Sequence, residues 1–131
     1  MIIDTSAIIA ILRDEPESKS CAEAMEAAKS RRISAVNFVE AAAVIDSNRN
    51  PIASRRLDDF LREADVSIAP VTETQARIAR EAYRDFGKGS GHAAGLNFGD
   101  CFAYALAKAT GEALLFKGND FIHTDILLVL E

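Results

Sequence analysis

Short apolar runs alternate with amphipathic stretches along the chain. Ile2-Ile3, Arg32-Ile33-Ser34, Val66 to Val71, Leu114-Leu115-Phe116 and Ile126 to Leu130 read as strands. Between them the spacing predicts helices. The first is capped by Ser6 and runs through Leu12, and the second is alanine-rich, with Pro16 near its first position, and runs to about Lys29. A third covers 36–48, with Asn37 or Ala35 near its start, and a fourth covers 52–64 after the Asn50-Pro51 break. Thr72-x-x-Gln75 is a capping-box pattern for a helix through Phe86. Asp100 opens a last helix, after a glycine-rich loop over 87–99, and Gly111 closes it. Alternating strands and helices imply a parallel sheet covered on both faces. No linker or repeat divides residues 1–131, which read as a single α/β domain. In such folds ligands bind beyond the carboxyl ends of the strands, so the residues there are the ones to inspect.

Acids stand at those places. Asp4 follows the first strand, Asp120 follows the fourth across a tight turn, and Asp100 begins a helix. Each alone fits an ordinary cap or turn. Glu40 is more informative. Val36, Glu40, Ala43 and Val44 fall at i, i+4, i+7 and i+8, which puts Glu40 within an apolar stripe. A carboxylate there needs a paired partner or a polar cavity. Several acids aimed at one place repel unless a cation offsets them, and hard ions such as Mg²⁺ or Mn²⁺ favour oxygen donors.

Composition narrows the choice. With 49% hydrophobic and 27% charged residues the chain is globular. Its 15 basic residues against 20 acidic ones give a net charge of −5, which excludes a simple basic nucleic-acid coat. Any phosphate-binding surface must therefore be local. The apolar runs are too short to span a membrane, and residues 1–12 lack a signal-peptide pattern. Cys21 and Cys101 have no zinc spacing and fit a reduced, cytoplasmic protein. His92 and His123 are far apart and read as surface or hydrogen-bonding residues.

Four pieces, in order, carry a resemblance: Ile2-Ile3-Asp4-Thr5-Ser6-Ala7; Asn37-Phe38-Val39-Glu40-Ala41; Leu96-Asn97-Phe98-Gly99-Asp100 through Ala107; and Leu115-Phe116-Lys117-Gly118-Asn119-Asp120-Phe121. Together they resemble a PIN-domain ribonuclease, more narrowly a VapC-type toxin of a type II toxin–antitoxin pair. The resemblance implies a three-layer α/β/α sandwich around a mainly parallel sheet. It implies that Asp4, Glu40 and Asp100 form a metal-binding core and that Asp120 supports a second metal or its waters. Thr5 or Ser6 matches the family's small hydroxyl residue, and Asn97 matches a polar residue that braces the site. The implied reaction is endonucleolytic hydrolysis of RNA by metal-activated water, with Mg²⁺ or Mn²⁺ as cofactor. The implied partners are a VapB-type antitoxin and a second copy of the chain. Asp125 is an outside candidate for the same edge.

Other motifs divide between chemistry and structure. Gly89-Ser90-Gly91-His92-Ala93-Ala94 fits a dinucleotide fingerprint in letters, but it follows a helix and not a strand. The loop 87–96 reads either as a mobile rim touching RNA through Lys88 and His92 or as a plain connector. Arg77, Arg80 and Arg84 share a helix face with Lys88 close behind, giving either a solvated face or a cationic rim for RNA. Arg31-Arg32 and Arg55-Arg56 read as solvent charges or antitoxin contacts. The main alternative to a nuclease is a binding or signalling module, either a degenerate PIN-like domain or a receiver-like one with Lys117 near its last strands. A receiver needs an acceptor Asp after its central strand, where this chain has Ser34-Ala35 and Val71-Thr72. An aspartyl-phosphate phosphatase needs a second acid two residues after Asp4, where Ser6 stands.

Overall fold

A computed structural model describes residues 1–129. Five strands form one sheet: β1 (Ile2–Ile3), β2 (Arg31–Ser34), β3 (Val66–Ala69), β4 (Leu114–Leu115) and β5 (Leu128–Val129). Their spatial order is β3-β2-β1-β4-β5 and every pairing is parallel. The helices are α1 (Thr5–Leu12), α2 (Ser18–Ala27), α3 (Ala35–Asp46), α4 (Pro51–Glu63), α5 (Glu73–Phe86) and α6 (Phe98–Thr110).

Side chains alternate across a strand, and here that alternation builds three layers. Ile2 and Leu114 face a core with Ala79 and Ala82 of α5 and with Leu106 and Ala107 of α6. Ile3, Ile33 and Leu115 face a second core with Ile8, Met25, Ala41 and Leu57 from α1 to α4. Ile2, Ile3, Leu114 and Leu115 are all fully buried, as the central strands of a covered parallel sheet require. The sandwich architecture expected from the sequence is therefore present.

The chain runs outward from β1 to β2 and β3, then returns to place β4 on the other side of β1. The strand order reverses there, and in folds of this kind the ligand crevice lies beyond the carboxyl ends of the strands at that point, here β1 and β4. Asp4 leaves β1 into that crevice, and the turn carrying Asp120 leaves β4 beside it.

Several element ends differ from the sequence reading, each for a local reason. Asp4, not Ser6, caps α1, accepting from the Ser6 N–H. Ser34 caps α3, which frees Asn37 for the interior. Asn97, not Asp100, caps α6. Pro16 lies outside α2, whose N-cap Glu17 makes no side-chain bond. Thr72 caps α5 through the Gln75 N–H, but the Gln75 side-chain oxygen is buried without a hydrogen bond, so only half the box forms. β3 stops at Ala69 before Pro70, β4 stops at Leu115, and β5 is shorter than the predicted run, whose Leu130 lies outside the described residues.

Candidate active site

Asp4 is almost fully buried, and it keeps its place through α1. Its Oδ2 accepts from the Ser6 N–H at 3.0 Å and from the Ser6 hydroxyl at 2.6 Å, while its Oδ1 is buried with no hydrogen bond among the described residues. The Ser6 Oγ in turn accepts the backbone N–H of Lys117 at 2.9 Å. One serine thus ties the end of β1 to the segment that carries Asp120.

Asp100 stands in the first turn of α6. Asn97 and Asp100 form a reciprocal capping box. The Asn97 Oδ1 accepts the Asp100 N–H at 2.8 Å, and the Asp100 Oδ2 accepts the Asn97 N–H at 3.0 Å. This leaves one Asp100 oxygen uncommitted. Asn97→Ala is expected to remove about 1 kcal/mol of stability, the usual worth of such a cap. Urea unfolding would read that loss, and Asp100→Asn, which can keep the box, should show little of it.

Glu40 reaches the same crevice from α3, but not on the stripe that the sequence suggested. The buried face of α3 is Asn37, Ala41 and Ile45, whereas Ala43 is exposed and Glu40 is half-buried at the edge of that face. Glu40 Oε1 accepts from the Thr5 hydroxyl, which also lies 3.1 Å from the Asn37 carbonyl, and from Asn37 Nδ2 at 3.3 Å. Asn37 Nδ2 donates to the Gly99 carbonyl at 2.9 Å as well. Asn37 is fully buried and joins α3 to the start of α6.

Gly99 leaves the space that Glu40 fills. A Cβ on Gly99 would lie 2.1 Å from Glu40 Oε2 and 2.6 Å from its carboxyl carbon. Neither Asn37 nor Gly99 had a role in the site from sequence alone, although both stand in the pieces that carry the resemblance. Asn37 looked like a cap and Gly99 like the end of a loop. The signal was their position, three residues before Glu40 and one before Asp100.

Asp120 is exposed at the rim, on the turn after β4. Burial pushes the Asp4 carboxyl up to about 6, against the opposing pull of its Ser6 bonds, with the charges of Glu40 and Asp120 adding to the rise. Burial pushes Asp100 up to about 7, and the charges of Asp4, Asp120 and Glu40 add to it. The four acids drawn from sequence positions 4 to 120 therefore share one electrostatic field. They do not close into a ready cage, since no three His, Cys, Asp or Glu among the described residues converge as ligands. The donor set nonetheless suits a hard cation: oxygen atoms only, excess negative charge, and an Asp4 Oδ1 buried with no proton donor facing it.

Asp125 belongs elsewhere. It accepts from Tyr104 Oη at 2.6 Å and Lys108 Nζ at 2.7 Å, bonds that hold its carboxyl below the ordinary range, and its charge is not among those acting on Asp4 or Asp100. Lys117 Nζ pairs with Glu15 at 2.8 Å. Arg31 is no free surface charge: its guanidinium donates to the carbonyls of Met25, Ala28 and Ala64 at the ends of α2 and α4. Arg32 pairs with Glu112. On α5, Arg77 pairs with Glu73 and Arg84 with Asp85, whereas Arg80 makes no ion pair among the described residues. The loop 87–96 is pinned at its base by Lys88 N–H to Leu96 O at 2.9 Å and Leu96 N–H to Phe86 O at 2.8 Å. His92 packs edge-on against Phe86 and accepts the Ala94 N–H, while Lys88 is exposed.

A parallel sheet with this crossover and acids at its switch point defines a class, and comparison agrees with it. The PIN-domain family model matches residues 1–127, and the chain belongs to that family. Within it the chain is of the VapC type. It is 56% identical over 131 residues to Ribonuclease VapC28 of Mycobacterium tuberculosis, covering 100% of this chain and 98% of that protein. It is 48% identical over 126 residues to Ribonuclease VapC42 of the same organism, covering 96% of each. Among solved structures, VapBC2 from Rickettsia felis, bound to a DNA fragment from its promoter, superposes with a TM-score of 0.76 at 14% identity. That match covers 98% of this chain and 96% of the other and supports the shared fold.

Proposed function

We propose that this chain is a metal-dependent endoribonuclease toxin that hydrolyses RNA at the cluster Asp4, Glu40, Asp100 and Asp120, and that a VapB-type antitoxin neutralises it. The observation that carries the reading is that Glu40 is bonded to Thr5, the neighbour of Asp4, and packs against Gly99, the neighbour of Asp100, with the Asp4 and Asp100 carboxyls both held above the usual range by burial. Groups arranged at such a cost in stability point to a functional site. The names of the relatives, ribonucleases of the VapC type, agree with it.

Asp4, Glu40 and Asp100 would hold Mg²⁺ or Mn²⁺, and Asp120 would support it or a second ion from the rim. The cation, when bound, supplies Lewis acidity toward the phosphodiester and lowers the pKa of a coordinated water. The chain's own part is positioning. Ser6 fixes which Asp4 oxygen faces the crevice, and Asn97 does the same for Asp100. Thr5 and Asn37 turn Glu40 inward. Protons held by Asp4 and Asp100 near neutral pH must leave before cation binding, so affinity rises with pH through about 6 to 7. No side-chain nucleophile is required.

The test is cleavage of total cellular RNA by the purified, antitoxin-free chain with Mg²⁺, with Mn²⁺ and with chelator, beside Asp100→Asn. Discrete new 5′ ends that require metal and vanish in the variant are expected. An Asp100→Asn protein that cuts at the unsubstituted rate would sink the assignment.

A further inference from the structure

A groove outside the acid cluster has chemistry that the cluster does not use. It lies between α5 and α6, has a volume of about 420 Å³, and is walled by Arg80, Tyr83, Phe98 and Phe102 over a floor that includes Ala79 and Cys101. Phe98 is 68% exposed and Tyr83 is 46% exposed. With the partly exposed Tyr83 across the groove, Phe98 forms an exposed aromatic patch, the kind of surface that marks a binding site. Its ring is held at a defined angle, 5.0 Å from that of Phe102. Phe98, Cys101 and Phe102 share one face of α6, and Asp100, two residues after Phe98, points about 200° around the helix from it, so the groove and Asp100 lie on different faces of the same first turn.

We infer that this groove is a nucleobase-stacking subsite, in which Phe98 and Tyr83 hold a base of the RNA strand around the N-terminal turn of α6 from the cleaved phosphodiester and Arg80 meets its backbone or edge. The inference rests on the ribonuclease reading above and adds the substrate contacts. Single-stranded RNA is held by exposed aromatic faces together with guanidinium groups. The acid cluster repels phosphate, so binding strength must come from elsewhere. The other two arginines on this face of α5, Arg77 and Arg84, are spent on ion pairs, and Arg80, on the groove itself, makes none among the described residues. A purely apolar partner, whether an antitoxin helix or a second copy, would bury that guanidinium without an acceptor. A polyanion supplies one.

The chain contains no tryptophan, so Phe98→Trp places a lone fluorophore in the groove. The probe is a mixed-sequence RNA oligomer of about ten nucleotides, within the range one such groove covers. It is titrated in Mg²⁺ onto Phe98→Trp in the non-cleaving Asp100→Asn background, and total binding is followed in parallel by anisotropy of labelled RNA. Saturable quenching of the tryptophan at the same RNA concentration as the anisotropy change is expected. In the Asp100→Asn protein, Phe98→Ala should weaken RNA binding about tenfold, the size of one base–aromatic stack, with Arg80→Ala acting in the same direction. In the cleaving protein, Phe98→Ala should raise KM with little change in kcat, and Phe98→Trp should restore KM.

RNA that binds by anisotropy while the tryptophan stays unquenched overturns the subsite and leaves the nuclease reading standing. Tryptophan emission that shifts with protein concentration in the absence of RNA assigns the groove to a second copy and overturns it equally. Failure of the oligomer to bind at all, together with failure to cut total RNA, overturns both readings.

Discussion

Asp4→Asn is expected to abolish RNA cleavage and, in the absence of metal, to make the protein harder to unfold at pH 8. The activity loss should reach roughly a thousandfold, the rate equivalent of about 4 kcal/mol. The stability gain follows from the raised carboxyl. Asp4 titrates at about 6 in the fold against 3.8 in the unfolded chain, so the fold favours the protonated acid. That contribution is complete below pH 3.8 and is lost as pH rises through 6. At pH 8 the whole penalty of a buried anion is present, at most about 3 kcal/mol. Asparagine removes it and still caps α1, since Asn and Asp are equally good caps. The variant and the unsubstituted protein should therefore unfold alike near pH 3.5, diverge as pH rises from about 4 to 6, and keep a constant difference above that. Divalent cation should reverse the order, raising the urea midpoint of the unsubstituted protein and not that of the variant. A variant less stable than its parent at pH 8 without metal would contradict the electrostatic description of the cluster.

Gly99→Ala is expected to separate activity from stability in a second way. The new methyl carbon meets the carboxyl end of Glu40, the movable tip of a side chain and not a wall of backbone. Glu40 swings away, and its bonds to Thr5 and Asn37 are lost. Helix α6 gains about 1 kcal/mol from exchanging glycine for alanine, which offsets part of that loss. Thermal unfolding should thus change little, while cleavage drops about a hundredfold, as displacement of one positioned group by an ångström commonly does. Gly99→Ala with full activity would mean that Glu40 does not act from its observed position.

Much of this was legible in the sequence, and the misses share a cause. The strands showed because apolar runs of two to four residues between helices have few other readings. Asp4 showed because it follows the first strand, and Asp100 because it opens a helix after a glycine-rich loop. The face of α3 was misread because Val36, Ala43 and Val44 are as apolar as Ala41 and Ile45, so periodicity could not rank two adjacent stripes. What decided between them was Asn37, a polar residue whose bond to the Gly99 carbonyl exists only once α6 has arrived. Asp125 was misplaced for the related reason that proximity to the last strand does not say which layer a side chain joins; Tyr104 and Lys108 claimed it.

The position of β1 has a consequence for how the protein is made. Its register is fixed on one side by Arg32 and on the other by Leu114 and Leu115, and Ser6 waits for the backbone of Lys117. The half-sheet β1-β2-β3 can form early during translation, but it holds only Asp4 and Glu40. Asp100 and Asp120 enter last. A ribosome synthesising this chain therefore carries an incomplete set of acids until the segment through Asp120 has emerged, and the proposed centre cannot assemble on a shorter nascent chain.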